Sequence, residues 1–132
     1  MKKLIAALTV ALCSVLVVPP VQAHHEPNSG CSESGDVCLT TNKVDGIRKL
    51  RIGLAAQYFS QYKLCVEAPD ESKVCKVFEI EDTGAGYGDS VRWARQFPRK
   101  GPGAYTVRWR QGGSLLGTRG FHVKPPNVCC SN

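Results

Sequence analysis

Ala104-Tyr105-Thr106-Val107-Arg108-Trp109-Arg110, followed by Gln111-Gly112-Gly113-Ser114 and then Leu115 to Val123, decides the fold. Large apolar residues at 105, 107 and 109 alternate with polar ones, the period-two pattern of a strand with one buried face. The Gly-Gly pair is a hairpin signal, and the chain returns through Phe121 and Val123 on the inward face. Gly117 or Gly120 marks a bulge in the returning strand. Lys124-Pro125-Pro126 ends it.

The same alternation recurs upstream. Lys49 to Ala56 puts Leu50, Ile52, Leu54 and Ala56 on one face, and Gln61 to Glu67 puts Tyr62, Leu64 and Val66 inward with Cys65 outward. Lys73 to Ile80 offers Val74, Phe78 and Ile80, Val37 to Thr41 suits a short edge strand, and Val91-Arg92-Trp93 looks like a further strand. Glu81 to Asp89 is a glycine-rich loop whose Gly-x-Gly-x-Gly spacing lacks the following helix that phosphate binding needs. About seven short strands, regular turns and no helix predict an all-β, antiparallel sandwich.

The N-terminus is an export signal. Lys2 and Lys3 precede an apolar stretch from Leu4 to Val18, Pro19 and Pro20 break it, and Val21-Gln22-Ala23 supplies small residues for cleavage. About 15 apolar residues fall short of the roughly 20 a membrane-spanning helix needs, and Leu12 before Cys13 is a poor lipidation context. Residues 1–23 are therefore expected to be a cleaved signal peptide, 24–36 an irregular arm, and 37–132 a single β-sandwich domain. The exported chain then carries no transmembrane segment and is secreted, or periplasmic where an outer membrane exists.

Removing Cys13 leaves Cys31, Cys38, Cys65, Cys75, Cys129 and Cys130, an even set in a small exported chain, which predicts a disulfide-stabilised domain. Folding the chain about Pro69-Asp70-Glu71-Ser72 sets Cys65 opposite Cys75, Val66 opposite Val74 and Glu67 opposite Lys73, giving a cross-strand bridge and an ion pair together. For the other four, joining Cys31 and Cys38 to Cys129 and Cys130 is preferred, because closing a loop of about 100 residues stabilises by about 4 to 5 kcal/mol on a chain-entropy view. The alternative is a local Cys31–Cys38 loop with a vicinal Cys129–Cys130 bridge. No cysteine knuckle with zinc spacing exists.

With this framework in place, Gly101-Pro102-Gly103-Ala104-Tyr105-Thr106-Val107-Arg108-Trp109 resembles the corner and penultimate strand of immunoglobulin-like domains, with Tyr105 at the tyrosine-corner position. The likeness implies an immunoglobulin-like sandwich over about residues 48–123 and nothing about function. The final hairpin, with Phe121-His122-Val123, is also similar to that of the periplasmic copper-carrier family. That family uses its terminal histidine and a histidine in the hairpin loop, whereas this loop, Gln111-Gly112-Gly113-Ser114, holds none.

Charge is distributed unevenly. Residues 24–89 hold seven lysines and arginines against all eleven carboxylates, whereas 90–132 hold eight basic groups and no acid. If the strands carrying them adjoin, Arg92, Arg95, Arg99, Lys100, Arg108 and Arg110 form one positive face, suited by the arginine fork to carboxylate or phosphate. The expected function is a non-catalytic, monomeric binding module engaging an acidic protein or an anionic cell-surface component. Nucleic acid is not indicated, since no binding motif exists and Trp93 and Trp109 point inward by parity.

Two other functions have sequence support. Cleavage after Ala23 would expose His24, whose amine and imidazole form a copper chelate, with His25 and His122 as further nitrogen ligands; otherwise no cofactor is expected. The 81–89 loop could instead be the wedge of a secreted inhibitor or effector. Catalysis is not expected: there is no nucleophile elbow, and Glu79, Glu81 and Asp82 form no more than a turn cluster. Export into an oxidising compartment predicts that alkylating denatured, unreduced exported protein adds no mass; six adducts would overturn the disulfide framework.

Overall fold

A computed structural model of the chain describes residues 27–127. The predicted signal peptide, His24, His25, Cys129 and Cys130 lie outside them. The elements are β1 (Ser29–Cys31), β2 (Val37–Thr40), β3 (Lys43–Val44), β4 (Ile47–Leu54), β5 (Gln61–Glu67), β6 (Lys73–Glu79), β7 (Glu81–Asp82), β8 (Tyr87–Arg92), α1 (Trp93–Gln96), β9 (Gly103–Gln111) and β10 (Ser114–Val123). They make an all-β fold of two antiparallel sheets. One runs β1-β2-β4-β8-β7 with β3 beside β4, and the other runs β10-β9-β5-β6.

The core lies between the sheets. Alternation carries Leu50, Ile52 and Leu54 of β4 and Leu39 of β2 inward from the first sheet, and Tyr62, Leu64, Val66, Tyr105, Val107 and Trp109 inward from the second. Fully burying each such aliphatic side chain is worth about 1.5–3 kcal/mol, so this face-to-face layer is the main source of stability. Trp93, Tyr105 and Phe121 pack at one end, with Tyr105 and Phe121 stacked 5.0 Å apart and Trp93 edge-on to both. The Tyr105 hydroxyl donates to the Gly101 carbonyl at 2.8 Å and accepts the Lys100 N–H at 2.9 Å, which pins the turn before β9.

Close backbone approach explains two glycines. Inside the β4–β8 pairing, a Cβ on Gly88 would collide with the Ile52 carbonyl. In β10 a Cβ on Gly117 would meet Leu39 at 2.6 Å, next to the register shift between Leu115 and Gly117. The Gly112-Gly113 turn has positive φ at both positions, as a two-residue hairpin turn requires.

The β5–β6 register agrees with expectation: Cys65 faces Cys75, Val66 faces Val74, Glu67 faces Lys73, and the Cys65–Cys75 disulfide is formed. The ion pair differs, because the Glu67 carboxylate is taken by Arg108 from β9 at 2.8 Å. The preferred tie of Cys31 and Cys38 to the C-terminal cysteines is corrected: they bond each other. They sit opposite one another in the β1–β2 register, and that proximity outweighs the entropy argument for a long loop. β1 also replaces irregular chain over part of 24–36 and leaves β2 interior rather than at an edge. Ala56 is exposed beyond the end of β4, and the expected strand at Val91-Arg92-Trp93 ends at Arg92, where a single helical turn begins.

One buried hydroxyl links the sheets. Tyr62 of β5 donates to the Asp89 carboxylate of β8 at 2.8 Å, and burial, then the Asp89 charge, push its pKa far above the ordinary value near 10. Its stabilising contribution is full below about pH 10 and declines above it, where the unfolded chain loses the phenolic proton and the native one keeps it. Chemical denaturation between about pH 9 and 11 should therefore show wild-type stability falling more steeply than that of Tyr62→Phe, by up to one proton's worth, about 1.4 kcal/mol per pH unit. Parallel profiles would disprove the linkage.

Candidate functional site

The end of the sandwich beside the aromatic cluster opens into a cleft of about 970 Å³ between the β3–β4 hairpin, α1 and the last residues of β10. Its hairpin wall is set by Asp45 and Gly46, both at positive φ, the geometry of a two-residue turn. That turn sets Lys43 directly across from Arg48. One position on, Lys49 of β4 faces Arg92 of β8. Like charges directly opposite on a sheet are destabilising, and of these four cations Lys43, Arg48 and Arg92 line the cleft.

The second wall is α1 and the chain that follows. Trp93 is buried, and the single turn leaves Arg92 and Arg95 exposed on the cleft side. Arg99 returns over the Trp93 ring, 5.8 Å from its centroid. The third wall is His122 and Lys124 at the end of β10, with the amides of Asn28 and Asn42 nearby. The lining therefore holds six lysines and arginines and no carboxylate.

Arg48 is the most constrained of these cations. Its guanidinium lies 4.7 Å from the Phe121 ring centroid and donates through Nη1 to the Thr41 carbonyl at 2.7 Å. Burial pushes its pKa down from the usual arginine value, yet an arginine remains charged at neutral pH. Thr41 is fully buried; its hydroxyl donates to the Gly120 carbonyl at 2.7 Å and its N–H to Asn28 at 2.7 Å. Together these bonds join β2, the N-terminal arm, β10 and Arg48 at the base of the cleft. A guanidinium stacked on a ring and bonded on one side is oriented before any ligand arrives.

The single basic face expected from β8 and β9 is not formed, because those strands belong to different sheets. Arg92, Arg95 and Arg99 do come together in the cleft. Lys100 lies outside it, with its N–H held by Tyr105. Arg108 pairs with Glu67 on the outer face of the second sheet, the one ion pair among the described residues. Arg110 faces Lys63 beside a separate hollow of about 330 Å³. Lys43, Arg48, Lys124, Asn28 and Asn42 were not anticipated; the Asp45-Gly46 dipeptide was the available sign that a hairpin would bring Lys43 to Arg48.

The other candidate constellations fare as follows. Among the described residues no group of three histidines, cysteines or carboxylates is placed to hold a metal ion, and His122 lines the cleft on a strand rather than in the hairpin loop. Glu79 and Glu81 are exposed, while Asp82 accepts the Gly84 N–H at 2.8 Å in a turn. The expected 81–89 loop is a hairpin: Asp82 pairs with Tyr87, Glu81 with Gly88, and Thr83 closes the turn onto Gly86. A second, shallower groove of about 600 Å³ runs beside this hairpin and includes Arg51, Glu81 and Asp89, so its charge is mixed.

No protein-family model matches this chain, and neither does any curated protein or solved structure. The site must be judged on its own geometry. The different surroundings of two arginines on β9 give a direct check. Arg108→Glu sets a second carboxylate against Glu67 and should lower the free energy of unfolding by on the order of 1 kcal/mol, whereas Arg110→Glu should stay within about 0.5 kcal/mol of wild type. Equal effects would mean that the Glu67 pairing contributes nothing.

Proposed function

We propose that this chain is a small secreted binding module, non-catalytic and with an immunoglobulin-like sandwich, that holds an anionic partner in the basic cleft. The single observation that carries this reading is the lining: six cations converge on one concavity without a carboxylate among them. Neutralising acids were available elsewhere in the chain, since eleven carboxylates are present. Leaving cations unpaired around a recess focuses positive potential on whatever enters it, which raises the local concentration and capture rate of anions.

The immunoglobulin-like assignment is supported by strand order. β2-β4-β8-β7 opposite β10-β9-β5 follows the order of the ABED and GFC sheets of such domains, with β6 added beside C and the short β1 and β3 added to the first sheet. The Tyr105 hydroxyl also bonds back to Gly101 in the manner of a tyrosine corner. Export is supported by the leader pattern of residues 1–23 and by two formed disulfides, which persist in oxidising compartments.

Retention on phosphocellulose tests the site against simple net charge. The double variant Arg92→Glu/Arg95→Glu should elute at clearly lower salt than Lys63→Glu/Arg110→Glu, which changes the net charge equally on the opposite sheet. Identical elution of the two would refute a localised anion site.

A further inference from the structure

We propose that the anionic partner is an acidic polysaccharide, a glycan bearing sulfate or carboxylate groups, and this inference rests on the binding reading above. The cations are spread over three walls rather than gathered at one point: Lys43 and Arg48 on the hairpin, Arg92 at the end of β8 with Arg95 on α1 and Arg99 after it, and Lys124 just past β10. One small anion would engage one or two of them. A ligand carrying several charges along its length engages all three walls.

The remaining lining distinguishes among polyanions. Bases of a single-stranded nucleic acid need exposed aromatic faces. Here Trp93 and Phe121 are 6% and 8% exposed, and Arg99 and Arg48 lie over their rings. An acyl chain needs an apolar wall, and beyond the buried Trp93, which Arg99 covers, the lining offers Ile47, Val123 and Ala94 at separate positions. An extended acidic peptide would gain most of its affinity by pairing with a free strand edge. The β10 edge that reaches the cleft is already taken at Gly120, whose N–H bonds to Pro27 and whose carbonyl accepts from Thr41. Only His122 and Lys124, at the same parity, remain for such a ladder.

Asn28, Asn42 and His122 complete the match. Amide and imidazole groups donate and accept hydrogen bonds, as hydroxyl groups do. Interleaved with fixed guanidinium groups, they suit a ligand whose charges are separated by hydroxyl-bearing rings. Asn42 is exposed, and its backbone carbonyl accepts the Lys49 N–H, so its side chain is available at the cleft wall.

Titration calorimetry with three probes tests the inference: a heparin fragment of defined length, uncharged dextran of similar length, and poly-L-glutamate of matched charge. Heparin should bind, weaken at least about tenfold in Arg92→Glu/Arg95→Glu and about three- to tenfold in Asn42→Ala, while dextran stays silent and poly-L-glutamate binds more weakly and ignores the asparagine change. Circular dichroism of each variant checks that the fold is retained. Poly-L-glutamate binding as tightly as heparin, or heparin binding unmoved by Asn42→Ala, overturns the glycan assignment and leaves the anionic cleft standing. Failure of both polyanions to bind, or binding unmoved by the arginine reversals, overturns the cleft itself.

Discussion

A single buried threonine holds the cleft end of this molecule together. Thr41 is fully enclosed where β2 ends, and its hydroxyl, N–H and carbonyl reach three different parts of the chain: Gly120 of β10, Asn28 of the arm, and Arg48 of β4. Buried polar groups that lose a partner cost about 1–3 kcal/mol each, so breaking any one of these bonds penalises the enclosed residue. The set joins the first sheet, where β2 ends, to the β10 edge of the second. Through the carbonyl it also fixes the guanidinium that stands deepest in the charged recess.

The aromatic cluster supplies the complementary support. Trp93, Tyr105 and Phe121 come from a helical turn and two strands, and their edge-on and stacked contacts bury the floor on which Arg48 and Arg99 rest. Cations over ring faces gain about 0.5–1 kcal/mol even at exposed sites, which offsets part of the repulsion among them. The like-charge pairs Lys43 with Arg48 and Lys49 with Arg92 are consequences of strand register, and of these four cations Arg48 gains a ring contact, with Phe121. This local conflict with the usual rule against facing like charges is consistent with the proposed anion-binding role, since functional sites are where such rules are most often broken.

Much of this was legible in the residues, and what was not has definite physical causes. Strict alternation at Tyr62-Leu64-Val66 and Tyr105-Val107-Trp109 marked the second sheet, and the turn at Pro69 to Ser72 fixed the Cys65–Cys75 register. Charge separation pointed to Arg92, Arg95 and Arg99. Yet adjacency in sequence was mistaken for adjacency in space: β8 and β9 follow one another but enter different sheets, so Arg108 and Arg110 leave the group. Loop entropy alone favours long closures, whereas the β1–β2 register sets Cys31 opposite Cys38 and makes the local bond. Lys43 and Arg48 meet across the local β3–β4 hairpin, but they lie far in sequence from Arg92 to Arg99 and from Lys124, and only the tertiary arrangement unites the three groups.

Both described disulfides lie inside single hairpins, spanning 7 and 10 residues, and neither crosses from one sheet to the other. Tension applied across residues 27–127 would therefore be resisted by backbone ladders and interlocked side chains until the sheets part. The sulfur links withhold only about 60 Å of contour length, at about 3.5 Å per residue, from a segment that extends to roughly 350 Å. Mechanically, the described residues form two disulfide-stiffened ribbons held to one another by noncovalent contacts, and the bonds of Thr41 at the base of the cleft are part of that junction.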